Sequence, residues 1–241
     1  MSTATLNYRD GAAALKGILI CDEKHTGQRP GIILFPDARG ISDHAIACAK
    51  RLAALGFVVL VADLYGDGMT ARDISHAREL MGQLRSDLSR WRARAEAARL
   101  ALVQQGNVDA ARIAAIGYCF GGTTALELAR TGAALGAVVS FHGGLASTRP
   151  EDARNIKAKV LVCHGVADTL VPMTQLTAFE EQMSRTGVDW QTHVYAGAKH
   201  GFTNPDADNA SVPELGYDAA ADRRSWAAML GLFEEVFVKV V

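Results

Sequence analysis

Along the 241-residue chain, short and almost continuously apolar runs alternate with longer segments whose apolar positions recur at helical spacing. The runs Leu15–Cys21, Gly31–Phe35, Phe57–Ala62, Arg112–Gly117, Ala134–Ser140, Val160–His164 and Gln191–Tyr195 predict strands. Runs that are apolar at nearly every position fit strands covered on both faces by helices. The helical spacing predicts helices at Asp43–Leu55, Ile74–Gln105, Phe120–Thr131, Met173–Thr186 and Asp218–Phe237. This order predicts an α/β fold: a doubly wound, mostly parallel sheet with helices on both faces and right-handed crossovers. No repeat, low-complexity stretch or linker interrupts it, so residues 1–241 are expected to form one domain. The loopiest region is Gly201–Gly216, which carries Asn204, Pro205, Asp206, Asp208, Asn209 and Pro213.

Composition changes this picture little. Apolar residues make up 49% and charged residues 21%, ordinary for a globular protein. A net charge of −1 gives no electrostatic pull toward nucleic acid or an anionic membrane, and neither is expected as a partner. Arg85, Arg90, Arg92, Arg94 and Arg99 cluster, but Asp87 and Glu96 interrupt them, so the pattern reads as a solvated helix face. The start MSTATLNYRDG lacks the basic and apolar parts of a secretory signal, and no apolar run is long enough to span a bilayer. Cys21, Cys48, Cys119 and Cys163 are scattered without C-x-x-C spacing, which fits free thiols and a cytoplasmic setting.

The strongest chemical signal is Gly117-Tyr118-Cys119-Phe120-Gly121-Gly122, between a predicted strand and a predicted helix. Glycine-x-nucleophile-x-glycine at such a joint is the nucleophile elbow, a strained turn in which side chains at Gly117 and Gly121 would clash with neighbouring backbone. The turn also sets Cys119 at a helix N-terminus, where the dipole favours thiolate. Asp168 follows the strand Val160–His164, and His200 follows the strand Gln191–Tyr195. Nucleophile, acid, histidine is the chain order of the α/β-hydrolase fold. A free thiol, with a pKa of about 8.5, needs a base: His200 would take the proton, and Asp168 would fix the histidine's tautomer. Backbone N–H groups of Phe120 and Ala38 are the candidate oxyanion donors. His142, at a strand end, would either line the pocket or satisfy backbone groups; His164 is read as a packing residue. No metal-ligand spacing of the His-Glu-x-x-His kind and no Gly-x-Gly-x-x-Gly after a strand are present, so neither metal nor dinucleotide cofactor is expected.

Together these pieces resemble the dienelactone hydrolases. The matching segments are Phe35-Pro36-Asp37-Ala38-Arg39-Gly40-Ile41, Ala62-Asp63-Leu64-Tyr65-Gly66, the Cys119 hexapeptide, Asp168 with Val171-Pro172, and His200-Gly201-Phe202. They run in family order from about Gly11 to Phe237, and the cysteine nucleophile is their most specific element. The resemblance implies a cytoplasmic, cofactor-free cysteine hydrolase of enol-lactones or related esters, monomeric or a weak homodimer. It also implies a carboxylate that engages the resting thiol; Asp37 aligns there, one methylene shorter than the family glutamate. The family's dienelactone cleavers carry an arginine after the histidine, whereas this loop reads Gly201-Phe202-Thr203-Asn204. Arg39, Arg72 and Arg78 are the candidate replacements for holding a substrate carboxylate. Other readings of the same scaffold are a thioesterase, acyltransferase or peptidase using the same triad, or a non-catalytic ligand-binding protein.

Overall fold

The computed structural model describes residues 1–209 and 212–237, so Ala210 and Ser211 of the predicted Gly201–Gly216 loop lie outside the described residues. The chain forms two compact units, Met1–Ile116 and Gly117–Val241.

In the first unit, strands β1 (Ser2–Asp10) and β2 (Ala13–Cys21) form an antiparallel hairpin, β2 pairs antiparallel with β4 (Val58–Val61), and β4 pairs parallel with β3 (Arg29–Phe35). Ile32, Ile33, Leu34 and all four residues of β4 are fully buried, as expected of strands covered on both faces. Helix α1 (Asp43–Ala54) is capped by Ser42, whose hydroxyl accepts from Ala45 N–H. Its buried Ala45, Cys48, Ala49, Leu52 and Ala53 repeat at three and four residues, forming the stripe that packs against β4. Strand β5 (Val108–Tyr118) then carries the chain into the second unit.

Two expectations fail here. The first strand, β1, was not anticipated: Ser-Thr-Ala-Thr-Leu-Asn-Tyr-Arg-Asp is too polar to read as a strand, because only alternate residues are even partly covered. Its signal was the turn, since Asp10 pairs with Ala13 across a two-residue loop in which Gly11 has φ 55°. The helix expected over Ile74–Gln105 is two helices, α2 (Ile74–Arg85) and α3 (Leu88–Val103). Asp87 adopts an extended backbone between them and caps α3 through Arg90 N–H at 3.0 Å; a capping aspartate restarts the helix that periodicity alone would continue.

The arginine cluster also divides. Arg85 and Arg90 are exposed, but Arg94 belongs to α3's buried stripe with Trp91, Ala95, Ala98 and Leu102. It donates to Leu64 O at 2.9 Å and lies 3.5 Å from Asp10 Oδ2. A buried guanidinium needs such partners, and the charge pattern could not show them.

In the second unit, β6 (Ala137–Phe141), β7 (Lys159–Gly165) and β8 (Trp190–Tyr195) are paired parallel in that order. Helix α5 (Met173–Met183) connects β7 to β8. Helix α4 (Phe120–Arg130) packs on β6, and all eleven of its residues are buried. Its polar members are matched internally: Arg130 pairs with Glu127 at 2.8 Å, and Thr124 donates to Phe120 O at 2.9 Å. Helix α6 (Ala219–Phe237) packs on β6 and β7. No helix among the described residues is long and apolar enough to cross a membrane.

Candidate active site

Cys119 sits between β5 and α4 as the residue that caps α4, with φ 53° and ψ −119°. Among the described residues only Asp67, Cys119 and His142 are non-glycine residues with positive φ. Such a backbone costs on the order of 1–3 kcal/mol and persists only where surrounding structure enforces it. At Cys119 the enforcement is visible: its N–H donates to Phe141 O at 3.0 Å, and its carbonyl accepts from Gly122 N–H at 3.0 Å and Thr123 N–H at 3.3 Å. The turn is so tight that a Cβ on Gly117 would lie 2.0 Å from Gly121 O. A Cβ on Gly122 would lie 2.5 Å from Ser140 Oγ, so Gly117 requires glycine and a side chain at Gly122 would displace Ser140.

Asp168 and His200 arrive on loops after β7 and β8, and those loops are tied together. Val166 N–H donates to Tyr195 O at 2.9 Å and Ala167 N–H to Ala198 O at 3.0 Å. Gly165 permits this approach, since its Cβ would meet Ala198 O at 2.3 Å. Asp168 is only 2% exposed. Its Oδ1 accepts from Leu170 and Val171 N–H, both at 2.9 Å, and its Oδ2 lies 2.7 Å from His200 Nδ1. His200 is 5% exposed, and the Cys119 side chain is near enough to raise its pKa. The structure thus joins the three residues that chain order had singled out.

Burial alone would lower the pKa of His200. The charge of Cys119 and the hydrogen bonds to Asp168 and Cys119 outweigh it and raise the pKa to about 10. The other three cysteines differ: Cys48 and Cys163 are buried, Cys21 is half-buried, and burial pushes the Cys163 thiol up to about 12. His164 is fully buried at the end of β7, as a packing residue should be, and burial depresses its pKa.

His142 directly follows β6. Its Nδ1 lies 3.2 Å from Cys119 N and its Nε2 2.9 Å from Thr203 Oγ1, and the residue is only 2% exposed. Sequence reasoning missed Thr203, an unremarkable threonine in a loop whose role depends on a histidine 61 residues away.

In the first unit, the Phe35–Gly40 segment is tightly folded. Asp37 Oδ1 accepts from Arg39 N–H at 2.8 Å, Gly40 N–H donates to Asp37 O at 3.0 Å, and Arg39 Nη2 lies 3.4 Å from Asp37 Oδ2. Asp37 therefore caps its own loop and pairs with Arg39, while Arg72 and Arg78 are exposed. Tyr65 OH donates to Ala38 O at 2.8 Å. The loop bearing Tyr65 is gathered around Asp63, a fully buried carboxylate that accepts from Lys16, Tyr65, Gly66 and Gly68 N–H at 2.7–2.9 Å. Asp63 and Tyr65 had been noticed only as parts of a motif. Among the described residues, no group of three or more His, Cys, Asp or Glu side chains could hold a metal ion.

The chain is similar to several known proteins. The chain is 35% identical over 147 residues to an uncharacterised protein of Caenorhabditis elegans, covering 60% of this chain and 92% of that one. A solved structure named m3DLH superimposes with a TM-score of 0.95 at 48% identity, covering 98% and 99% of the two chains. A dienelactone hydrolase-like promiscuous phosphotriesterase from metagenomic libraries matches with the same TM-score and coverage at 45% identity. The family model for dienelactone hydrolases matches residues 15–237. With this match over nearly its whole length, the chain belongs to the dienelactone hydrolase family and is a hydrolase of the α/β-hydrolase fold.

Proposed function

We propose that this hydrolase cleaves carboxylic esters or lactones with Cys119 as nucleophile and without a cofactor. The observation that carries the reading is the His200–Asp168 hydrogen bond of 2.7 Å beside Cys119, which sits at a strained positive φ on the elbow. The Cys119 sulfur attacks the acyl carbon, and the carbonyl π pair moves to oxygen. Phe120 N–H, the first of α4, is the proposed donor to that oxyanion. Collapse expels the alkoxide, which takes the proton from His200; in a lactone the alkoxide stays tethered to the acyl group. His200, now neutral, removes a proton from water, which attacks the thioester and expels the Cys119 thiolate, and the carboxylic acid so formed leaves and gives up its remaining proton to solvent. Asp168 holds Nδ1 throughout, keeping Nε2 toward the sulfur. The scattered cysteines, none in a disulfide, fit a cytoplasmic setting, and the reading takes the enzyme to be a single domain, monomeric or weakly dimeric, acting on a small molecule. Mixing excess enzyme with p-nitrophenyl acetate tests the reading. A burst of p-nitrophenol with an acyl group on Cys119 is expected, and turnover that survives Cys119→Ala would overturn it.

A second reading follows from the relative described as a promiscuous phosphotriesterase. The same thiolate would attack phosphorus and expel an aryloxide that takes the His200 proton. Turnover of diethyl p-nitrophenyl phosphate that depends on Cys119 supports this activity, and turnover untouched by Cys119→Ala removes it.

A further inference from the structure

The hydrogen bonding around His142 has a direction that fixes the state of its ring. The Cys119 N–H is shared between Phe141 O at 3.0 Å and His142 Nδ1 at 3.2 Å, and since an amide N–H can only donate, Nδ1 presents a lone pair. A neutral imidazole then carries its hydrogen on Nε2, which donates to Thr203 Oγ1 at 2.9 Å. One ring therefore bonds the backbone of the nucleophile on one side and, on the other, the loop three residues past the catalytic histidine. Its face is fixed as well: it stands edge-on to His200 and to Phe202, each at a centroid distance of 5.1 Å. Its own backbone, with φ 41°, is held by His142 N–H donating to Cys163 O at 2.8 Å. Two residues with left-handed backbone, Cys119 and His142, are thus bonded to each other where the elbow meets the His200 loop.

Resting on the proposed cysteine mechanism, we propose that His142 is a positioning residue that sets the distance and orientation between the Cys119 sulfur and the His200 ring. It acts through the Cys119 amide and Thr203 and not by touching substrate. The role requires the neutral Nε2–H form, because a proton on Nδ1 would face the Cys119 N–H. The titratable groups around the ring are Cys119, His200 with Asp168 behind it, and Tyr118, whose ring lies 6.1 Å away.

Three variants assayed with p-nitrophenyl acetate test this. His142→Phe keeps a ring but neither hydrogen bond, and kcat should fall roughly 10- to 100-fold with KM within about twofold, the cost of a misplaced nucleophile. His142→Asn places an acceptor near the Cys119 amide and tolerates positive φ, so it should recover most of that loss. Thr203→Val removes only the second anchor, and kcat should fall about 3- to 10-fold, the worth of one hydrogen bond. A kcat retained in His142→Phe, or an asparagine variant as slow as phenylalanine with KM raised, would overturn the role. If His142→Phe does not fold, the other two decide: asparagine near wild type with a kcat-only loss in Thr203→Val supports the proposal, and any other pair of results removes it. Cys119→Ala is measured alongside. Activity in that variant defeats the cysteine mechanism itself, whereas failure of the His142 role with Cys119→Ala inert leaves the mechanism standing.

Discussion

Asp168 gives one carboxylate oxygen to two backbone amides, of Leu170 and Val171, and the other to His200 Nδ1 at 2.7 Å. The carboxylate is thus fixed before it meets the histidine, and its charge is directed to one ring nitrogen. Asp168→Asn keeps the shape but can present an N–H to Nδ1, favouring the wrong tautomer. Its kcat on p-nitrophenyl acetate should fall roughly 10³- to 10⁴-fold. In combination with Cys119→Ala it should add nothing, because the members of a triad serve one step. Multiplying defects would show that the two residues act separately.

Cys119→Ala should abolish ester hydrolysis while circular dichroism stays unchanged, since the side chain supports no cap hydrogen bond of α4. Cys21→Ser, at a half-buried strand position, should retain wild-type kcat. Loss of activity in Cys21→Ser with Cys119→Ala active would reverse the assignment of the nucleophile.

The raised pKa of His200 has a consequence for stability. A group whose folded pKa lies above its unfolded value stabilises the fold fully below the unfolded value, about 6.5, and loses that contribution as pH rises through about 10. Thermal unfolding should therefore show a decline across this window. Burial is the largest influence on His200 and lowers its pKa, so removing the Cys119 charge and hydrogen bond in Cys119→Ala should bring the titration down. Imidazole NMR resonances followed against pH in both proteins measure it. An unchanged midpoint would mean that Cys119 does not hold the proton on His200.

Gly117→Ala should destabilise the protein by about 3 kcal/mol or more, or prevent folding, because the added Cβ would sit 2.0 Å from Gly121 O. Urea unfolding gives the measure. A variant as stable as the wild type would show that the elbow can relax.

Asp87→Ala should cost about 1 kcal/mol through loss of the α3 cap while leaving kcat unchanged. A thermal melt and an ester assay on the same sample check both halves.

The sequence by itself determined the strand and helix order, the elbow, and the order Cys119, Asp168, His200, because these follow from local rules: apolar periodicity, glycine where a Cβ cannot fit, and chemistry gathered at strand ends. It missed β1, whose polar residues carry little pattern, and the break at Asp87, where one capping side chain outweighs helical periodicity. Only the tertiary structure decided that Arg94 is buried against Asp10, that Asp63 gathers four amides, and that His142 joins Cys119 to Thr203. Each of these includes a contact between residues distant in the chain: Arg94 with Asp10, Lys16 with Asp63, and His142 with Cys119 and Thr203. Such a contact has direction and length but no period, so nothing in the spacing of residues announces it.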